Sequence, residues 1–145
     1  MRKCSNCRIE KDESFFYPVP VGDGISRQCK ECKKLYERVR RKEHPEIYRE
    51  YELRSHFNLS VEQYNTMFTE QNGLCFICHK PETVFRKGST LPLTVDHNHS
   101  CCPSSTSCGK CVRHLLCFRC NSGLGYFMDN PELLIAAASY IKACN

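Results

Sequence analysis

The sequence predicts a small α+β protein held together by metal instead of by a large apolar core. Three observations carry this expectation. The first is cysteine, 13 of the 145 residues, mostly arranged in CxxC pairs. The second is a thin supply of core-building side chains, because the 41% hydrophobic content includes those cysteines and Trp is absent. Chains with thin cores usually need staples, either disulfides or structural metals. The third is the alternation of turn-rich stretches with runs of helical periodicity.

Four CxxC pairs stand out: Cys4/Cys7, Cys29/Cys32, Cys75/Cys78 and Cys117/Cys120. A fifth, Cys108/Cys111, follows the doublet Cys101-Cys102, and Cys144 stands alone. The opening Met1-Arg2-Lys3-Cys4 has no apolar run behind it, which reads as no secretory signal. The most apolar window, Leu133 to Ile141, is far too short to span a bilayer, so no membrane partner is expected. A cytoplasmic chain rich in paired thiols is expected to bind metal, and the odd count fits a fully paired disulfide framework poorly.

The first two pairs enclose Phe15, Phe16, Tyr17, Pro18, Pro20, Gly22 and Gly24, a stretch of short strands and turns. Two knuckles separated in this way are the pattern of a Cys4 zinc ribbon, here over residues 1–34 with Cys4, Cys7, Cys29 and Cys32 as ligands. Four thiolates leave no open position, so the zinc is structural.

From Cys32 the pattern turns helical, and residues 35–72 read as a helical linker. Leu35 and Val39, with Tyr36, mark one face. His44-Pro45 breaks the helix, and a second run continues through Tyr48, Tyr51 and Leu53. Ser60 and Gln63 form a capping box that opens a helix through Tyr64, Met67 and Phe68, ended by Asn72-Gly73. The aromatic residues at helical spacing read as core or as the interface of a homodimer.

The net charge of +5 does not by itself indicate nucleic acid. Its distribution says more, because Lys33 to Lys42 carries six basic residues against one acid. This is either an ordinary solvated helix face or a phosphate-contacting helix, with Lys33, Lys34, Arg38, Arg40 and Arg41 as the candidate DNA contacts.

Cys75, Cys78, Cys117 and Cys120 form a second ribbon-like set, with a wider separation that weakens the zinc reading on spacing alone. The intervening loop strengthens it. It contains LTVDHNH at residues 93–99, and Cys120 is followed at once by Asn121. Zinc joining these knuckles brings Asp96, His97 and Asn121 into one neighbourhood. Cys101, Cys102, Cys108 and Cys111 could bind a third zinc, although adjacent cysteines strain to reach one ion. A three-cysteine site completed by a histidine, a disulfide and free thiols are the alternatives. Asn130-Pro131-Glu132 opens a last helix, whose packing face of Leu133, Leu134, Ala137, Tyr140 and Ile141 is expected to lie against the histidine-bearing region.

CFIC, VDHNH and VRHLLCFRCNSGLG, with an NPELL helix behind and NLSVEQYNTMFTEQNGLCFIC leading in, resemble the recombination endonuclease VII branch of the HNH (His-Me finger) nucleases. The resemblance covers roughly Asn58 to Ile141 and leaves the N-terminal ribbon outside. It implies a ββα-metal nuclease core over residues 73–145, a β-hairpin followed by a helix, with Asp96-His97 at a strand end and Asn121 on the helix. It also implies metal-dependent hydrolysis of DNA phosphodiesters to 5′-phosphate and 3′-hydroxyl ends, branched DNA such as Holliday junctions as substrate, a dimer, and a phage or bacterial source.

By the same resemblance, Asp96 and Asn121 would hold a catalytic Mg²⁺ or Mn²⁺. His97 would be the general base, His99 would contact the scissile phosphate or a strand of the substrate, and Arg113 would clamp a phosphate. The residue types suit this chemistry. A histidine titrating near neutrality is a fitting base, and a hard divalent ion prefers oxygen ligands. Two departures from the family pattern stand in the chain. His114 replaces a frequent glycine, and Ser122 to Gly125 offers no acid a turn after Asn121. His44, His56 and His79 read as surface or helix-end residues. The rival functions are a nicking or homing-type HNH endonuclease without junction preference, and a non-catalytic zinc-ribbon binding module.

Overall fold

The computed structural model describes residues 1–145 except Val21, Asp23, Lys87 and Asn145. In chain order the elements are β1 (Arg2–Lys3), β2 (Glu10–Lys11), a 3₁₀ turn (Glu13–Phe15), β3 (Phe16–Pro18), β4 (Ile25–Cys29), α1 (Lys30–Glu43), α2 (Pro45–Phe57) and α3 (Val61–Glu70). There follow β5 (Phe85–Arg86), β6 (Ser89–Thr90), β7 (Thr94–His97), β8 (Val112–Leu116), α4 (Phe118–Tyr126) and α5 (Pro131–Ala143). This is the α+β class expected. Contacts divide the chain into Met1–Tyr48 and Arg49–Asn145, with the division inside α2. Against expected segments of 1–34, 35–72 and 73–145, α1 groups with the ribbon and α3 with the histidine-bearing residues.

In the first unit, β1 pairs antiparallel with β2 and β3 with β4, the second pair carrying an irregularity between Phe16 and Pro18. Its buried core is Cys4, Phe16 and Cys29, fringed by Cys7, Ile25 and Cys32. One aromatic ring cannot hold such a unit together, so the thiols must supply the rest of the cohesion. Cys29 is the N-cap of α1, and Pro45 takes the first position of α2, where its missing N–H costs nothing. The expected apolar face of α1 is not buried. Leu35, Tyr36 and Val39 are 56%, 55% and 44% exposed, because the ribbon offers no apolar surface large enough to cover them.

The second unit is built around Leu53, Leu59, Tyr64, Cys75, Leu93, Val95, Leu115, Leu116 and Cys117. Both bonds of the Ser60–Gln63 capping box form, as expected. The buried Tyr64 donates its hydroxyl to the Leu93 carbonyl at 2.9 Å, which pins α3 to the approach of β7. At the end of α3, Gly73 N–H reaches the Phe68 carbonyl and Asn72 N–H that of Thr69. This Schellman closure requires the left-handed backbone that Asn72 and Gly73 adopt. Gln71 then uses its side-chain amide as an extra strand. Its Nε2 donates to the Leu115 carbonyl at 2.8 Å, and its Oε1 accepts from Leu115 N–H at 2.9 Å.

β7 and β8 pair antiparallel through Thr94↔Leu116, Val95↔Leu115 and His97↔Val112, with a register shift between Val95 and His97. Helix α4 follows directly and packs on both strands, giving the expected hairpin-and-helix unit. Glu82 closes it. One carboxylate oxygen accepts from Phe118 N–H at 2.6 Å, at the N-terminus of α4, where a negative charge is favoured.

Helix α5 opens as expected, with the Asn130 side chain accepting from Leu133 N–H and Pro131 at the first position. Its expected packing face differs. Leu134 and Ala137 are half-buried, but Leu133, Tyr140 and Ile141 are 41%, 70% and 58% exposed. The hairpin is already packed by α3 and α4, leaving α5 little surface to cover. Among the described residues no helix is long and apolar enough to cross a membrane.

Candidate active site and metal centres

The cysteines gather into three groups of four: Cys4, Cys7, Cys29, Cys32; Cys75, Cys78, Cys117, Cys120; and Cys101, Cys102, Cys108, Cys111. Within each, all Sγ atoms lie within 4.8 Å of one another. Individual separations are 3.8 Å for Cys78–Cys117, 3.7 Å for Cys108–Cys111 and 4.0 Å for Cys101–Cys108. A tetrahedron with zinc–sulfur bonds of about 2.3 Å has edges of about 3.8 Å, so the donor sets fit that ion. A disulfide needs about 2.05 Å, and every cysteine of the chain is free. Cys101 and Cys102 both reach the third group despite being adjacent.

Each group contains one thiol drawn towards the thiolate that a metal requires. The backbone N–H of Cys29 brings Cys4 down to about 6. Burial pushes Cys75 up, but N–H groups of Cys78, Cys117 and Ile77 outweigh it and bring it to about 7. The Ser107 hydroxyl brings Cys111 to about 6. The groups differ in access. Two cysteines are buried in each of the first two, whereas Cys101 and Cys108 of the third are exposed.

Asp96 and His97 end β7 and are buried, at 6% and 4% exposure. The Asp96 carboxylate takes a bidentate pair of bonds from Arg113, Nε to Oδ2 at 2.7 Å and Nη2 to Oδ1 at 3.0 Å. Arg113 also donates from Nη2 to Asp129 Oδ2 at 3.0 Å, and that same oxygen accepts from His99 Nδ1 at 2.8 Å. The chain Asp96–Arg113–Asp129–His99 therefore ties strand β7, strand β8 and the exit of α4 together. Arg113 is raised above its ordinary pKa by Asp96. Burial pushes Asp129 up, but His99 and Arg113 hold it below the usual carboxylate range.

Arg113, expected to clamp a substrate phosphate, donates its guanidinium to two carboxylates of its own chain. Arg113→Met is expected to destabilise the second unit by ~1–3 kcal/mol. This is discounted from the 3–5 of a broken buried pair because the Arg113 side chain is 37% exposed, against 8% for Asp96. Urea unfolding in excess zinc measures it. Adding Asp96→Asn should recover part of the loss, and an unchanged midpoint in Arg113→Met would show that the pair holds nothing.

His97 Nε2 lies 3.2 Å from the carbonyl oxygens of both Cys102 and Ser104. Carbonyls only accept, so Nε2 carries the proton and Nδ1 is left with its lone pair. The ring meets Phe57 edge-on at 6.3 Å between centroids and His99 at 4.5 Å. His99, whose side chain is 47% exposed, is the more open of the two. Asn121 sits half-buried in the first turn of α4, its N–H bonded to the Cys117 carbonyl. His114 is exposed and stacks face to face on Phe76 of the knuckle, at 3.4 Å. His44, His56 and His79 are exposed, as expected.

Of the expected oxygen donors, Asp96 ends β7 and Asn121 lies on α4, the helix packed on that strand. Each carboxylate oxygen has two lone pairs, and Arg113 engages one on each, so Asp96 retains capacity to accept a divalent ion. Three contributors were not legible in the sequence: Asp129, Glu82 and Gln71. Asp129 lies immediately before the Asn130 cap, in a left-handed backbone, and only the fold carries it back to His99.

In the first unit, Lys33, Lys34, Arg38, Arg40 and Arg41 are all exposed on α1. Lys33 and its neighbour Lys30 place their ammonium groups 5.4 and 5.5 Å from the Tyr17 ring centroid, and Arg41 lies 5.0 Å from that of Tyr48. The basic stretch is therefore solvated and interleaved with aromatic faces.

Known proteins are similar to this chain. The Gene 59 protein of Mycobacterium phage D29 is 31% identical over 87 residues, which are 59% of this chain and 45% of that protein. The chain thus spans under half the length of this relative. The crystal structure of the ββα-Me type II restriction endonuclease Hpy99I aligns with 99% of this chain and 65% of its own, at 26% identity and a TM-score of 0.38. Residues 50–143, well over half of the sequence and including the β7–β8 hairpin, the Cys75/Cys78 and Cys117/Cys120 knuckles and α4, match the recombination endonuclease VII family, and the chain belongs to that family.

Proposed function

We propose that this protein is a metal-dependent DNA endonuclease that hydrolyses phosphodiester bonds at the β7–β8–α4 site, with branched DNA such as a Holliday junction as its substrate. The observation that carries the reading is the setting of His97. Two carbonyls occupy Nε2, leaving Nδ1 as a base one residue from a buried carboxylate. An imidazole nitrogen with its lone pair free is a suitable base for a water molecule beside it.

Asp96 and Asn121 would hold Mg²⁺ or Mn²⁺. Once bound, that ion neutralises phosphate charge and stabilises the departing oxygen. The remaining steps belong to the chain. Asp129 accepts from Nδ1 of His99 and so fixes the direction in which the other ring nitrogen faces. Arg113 fixes the direction of the Asp96 carboxylate through its two bonds. Zinc in the first two cysteine groups would be structural, closing the ribbon in one unit and clamping the hairpin to α4 in the other.

The basic face of α1 would contact the DNA backbone without reading its sequence. Exposed apolar residues at Leu35, Tyr36, Val39 and Tyr51 suit burial in a homodimer, which would present two centres to opposite strands. The test is cleavage of a four-way junction and of a linear duplex with the same arms, in Mg²⁺ and in EDTA. Cutting of the junction that needs the metal is the expected result. Equal rates on both substrates would leave a nuclease without branch preference. No metal-dependent cutting of either would overturn the reading and favour a binding module.

A further inference from the structure

We propose that Cys101, Cys102, Cys108 and Cys111 bind a zinc ion whose task is to hold the carbonyls of Cys102 and Ser104 against His97, so that this exposed metal centre orients the base. The importance of His97 rests on the nuclease reading above. The existence of the site and its effect on the ring do not.

The segment Ser100–Lys110 buries no residue of its own, so apolar packing does not decide where its carbonyls point. What holds it is a small set of polar ties. Cys101 and Cys102 donate their N–H groups to the Asn98 carbonyl, and Asn98 N–H donates to the Cys111 carbonyl at 2.9 Å. Asn98 stands between the two histidines, so three of the four cysteines converge on a backbone hub one residue from each. The far side of the loop docks on the end of α2, through Ser107 N–H to the His56 carbonyl at 2.6 Å and Asn58 Nδ2 to the Cys108 carbonyl at 3.2 Å. Gly109 passes so close that an added Cβ would meet the Asn58 carbonyl oxygen at 3.0 Å.

These ties fix the loop's two shoulders. In the stretch between them, which carries the Cys102 and Ser104 carbonyls, Ser104 and Thr106 bond to each other, through their hydroxyls at 2.8 Å and Thr106 N–H to Ser104 Oγ at 3.2 Å. Anchoring this local turn to the rest of the loop is left to the thiols. Four Sγ atoms at the separations given above match the edges of a zinc–thiolate tetrahedron, and soft thiolates select zinc over the hard ion that Asp96 and Asn121 suit. A cross-link at Cys101, Cys102, Cys108 and Cys111 fixes the backbone on both sides of Ser104. Without it, the two acceptors are free to leave Nε2, and the proton is no longer confined to that nitrogen. The base then loses both its direction and its tautomer. Groups that orient a reacting imidazole typically matter by 10–100-fold. Because Cys101 and Cys108 are exposed while each other group buries two of its cysteines, this centre is also the one from which a chelator removes metal first.

The experiment pairs metal analysis with ¹⁵N–¹H spectra of the histidine rings in wild type and in the double variant Cys101→Ser/Cys108→Ser. Wild type is expected to contain three zinc ions per chain, with His97 as the Nε2–H tautomer. The variant should contain two, keep its far-ultraviolet spectrum, lose the single-tautomer signature of His97, and cut DNA ~10–100-fold more slowly. Should the variant fail to fold, stepwise removal of the first zinc equivalent from wild type by a chelator gives the same comparison. Two zinc ions in wild type would overturn the proposal. So would an unchanged His97 signature after loss of the third ion. If zinc content and tautomer behave as stated but wild type cuts no DNA, the nuclease reading fails and the metal-held histidine stands.

Discussion

Cys75→Ser is expected to unfold residues 49–145 and to reduce the bound zinc to the single ion of the N-terminal ribbon. Cys75 is fully buried in the core with Leu53, Leu59, Tyr64, Leu93, Val95, Leu115 and Leu116, and is at the same time one vertex of the Cys78–Cys117–Cys120 group. The change therefore acts twice, exchanging a thiolate for a hydroxyl that zinc binds poorly and setting that hydroxyl in an apolar surrounding. Structural zinc contributes on the order of 10–16 kcal/mol in small domains, against a net stability of about 5–15 for a typical one. Far-ultraviolet circular dichroism and metal analysis in the same sample measure it. The first unit has its own four thiols and should keep its zinc. A folded variant with unaltered zinc content would show that the second knuckle pair is not the clamp on the hairpin.

His97→Ala is expected to lower cleavage by ~10²–10⁴-fold, the range for removal of a general base, while DNA binding is retained. The ring is 4% exposed and lies near Phe57 and His99, so alanine also leaves a void. His97→Gln separates the two effects. Its side-chain amide N–H can still donate to the Cys102 and Ser104 carbonyls, yet it offers no basic nitrogen. Gln should therefore restore stability lost in Ala and remain inactive. Junction cleavage and junction binding, measured together on both variants, decide the matter. Cutting by either at the wild-type rate would remove His97 from the chemistry.

Much of the fold was legible because its signals are local. The His44-Pro45 break, the Ser60–Gln63 box, the Asn72-Gly73 stop and the Asn130-Pro131 start each depend on a few neighbouring residues and on backbone preferences that act without the rest of the chain. The hairpin, with Asp96 and His97 at a strand end and Asn121 on the next helix, was legible through the family motif. What failed was burial. Leu35 and Val39, and likewise Leu133, Tyr140 and Ile141, have the spacing of a packing face but no surface to meet within the chain. Periodicity states which side of a helix is apolar, not whether anything covers it.

The candidate site divides along the same line. The first cysteine set could be grouped by its spacing, the second needed the motif between its knuckles, and the third was left among alternatives that the fold narrows by bringing its four sulfurs together. Asp96 and His97 could be named from their motif. Arg113 could be named but not placed. It stands 17 positions from Asp96 and 16 from Asp129, and grips both. Asp129 could not be named at all, since its partner His99 lies 30 residues earlier. By itself, the order of residues determined the metal frame and the chemical types available to react. Only the tertiary structure decided which carboxylate faces which cation, because ion pairs and carbonyl contacts depend on distances of a few ångströms that close when β7, β8, α4 and the cysteine loop fold against one another.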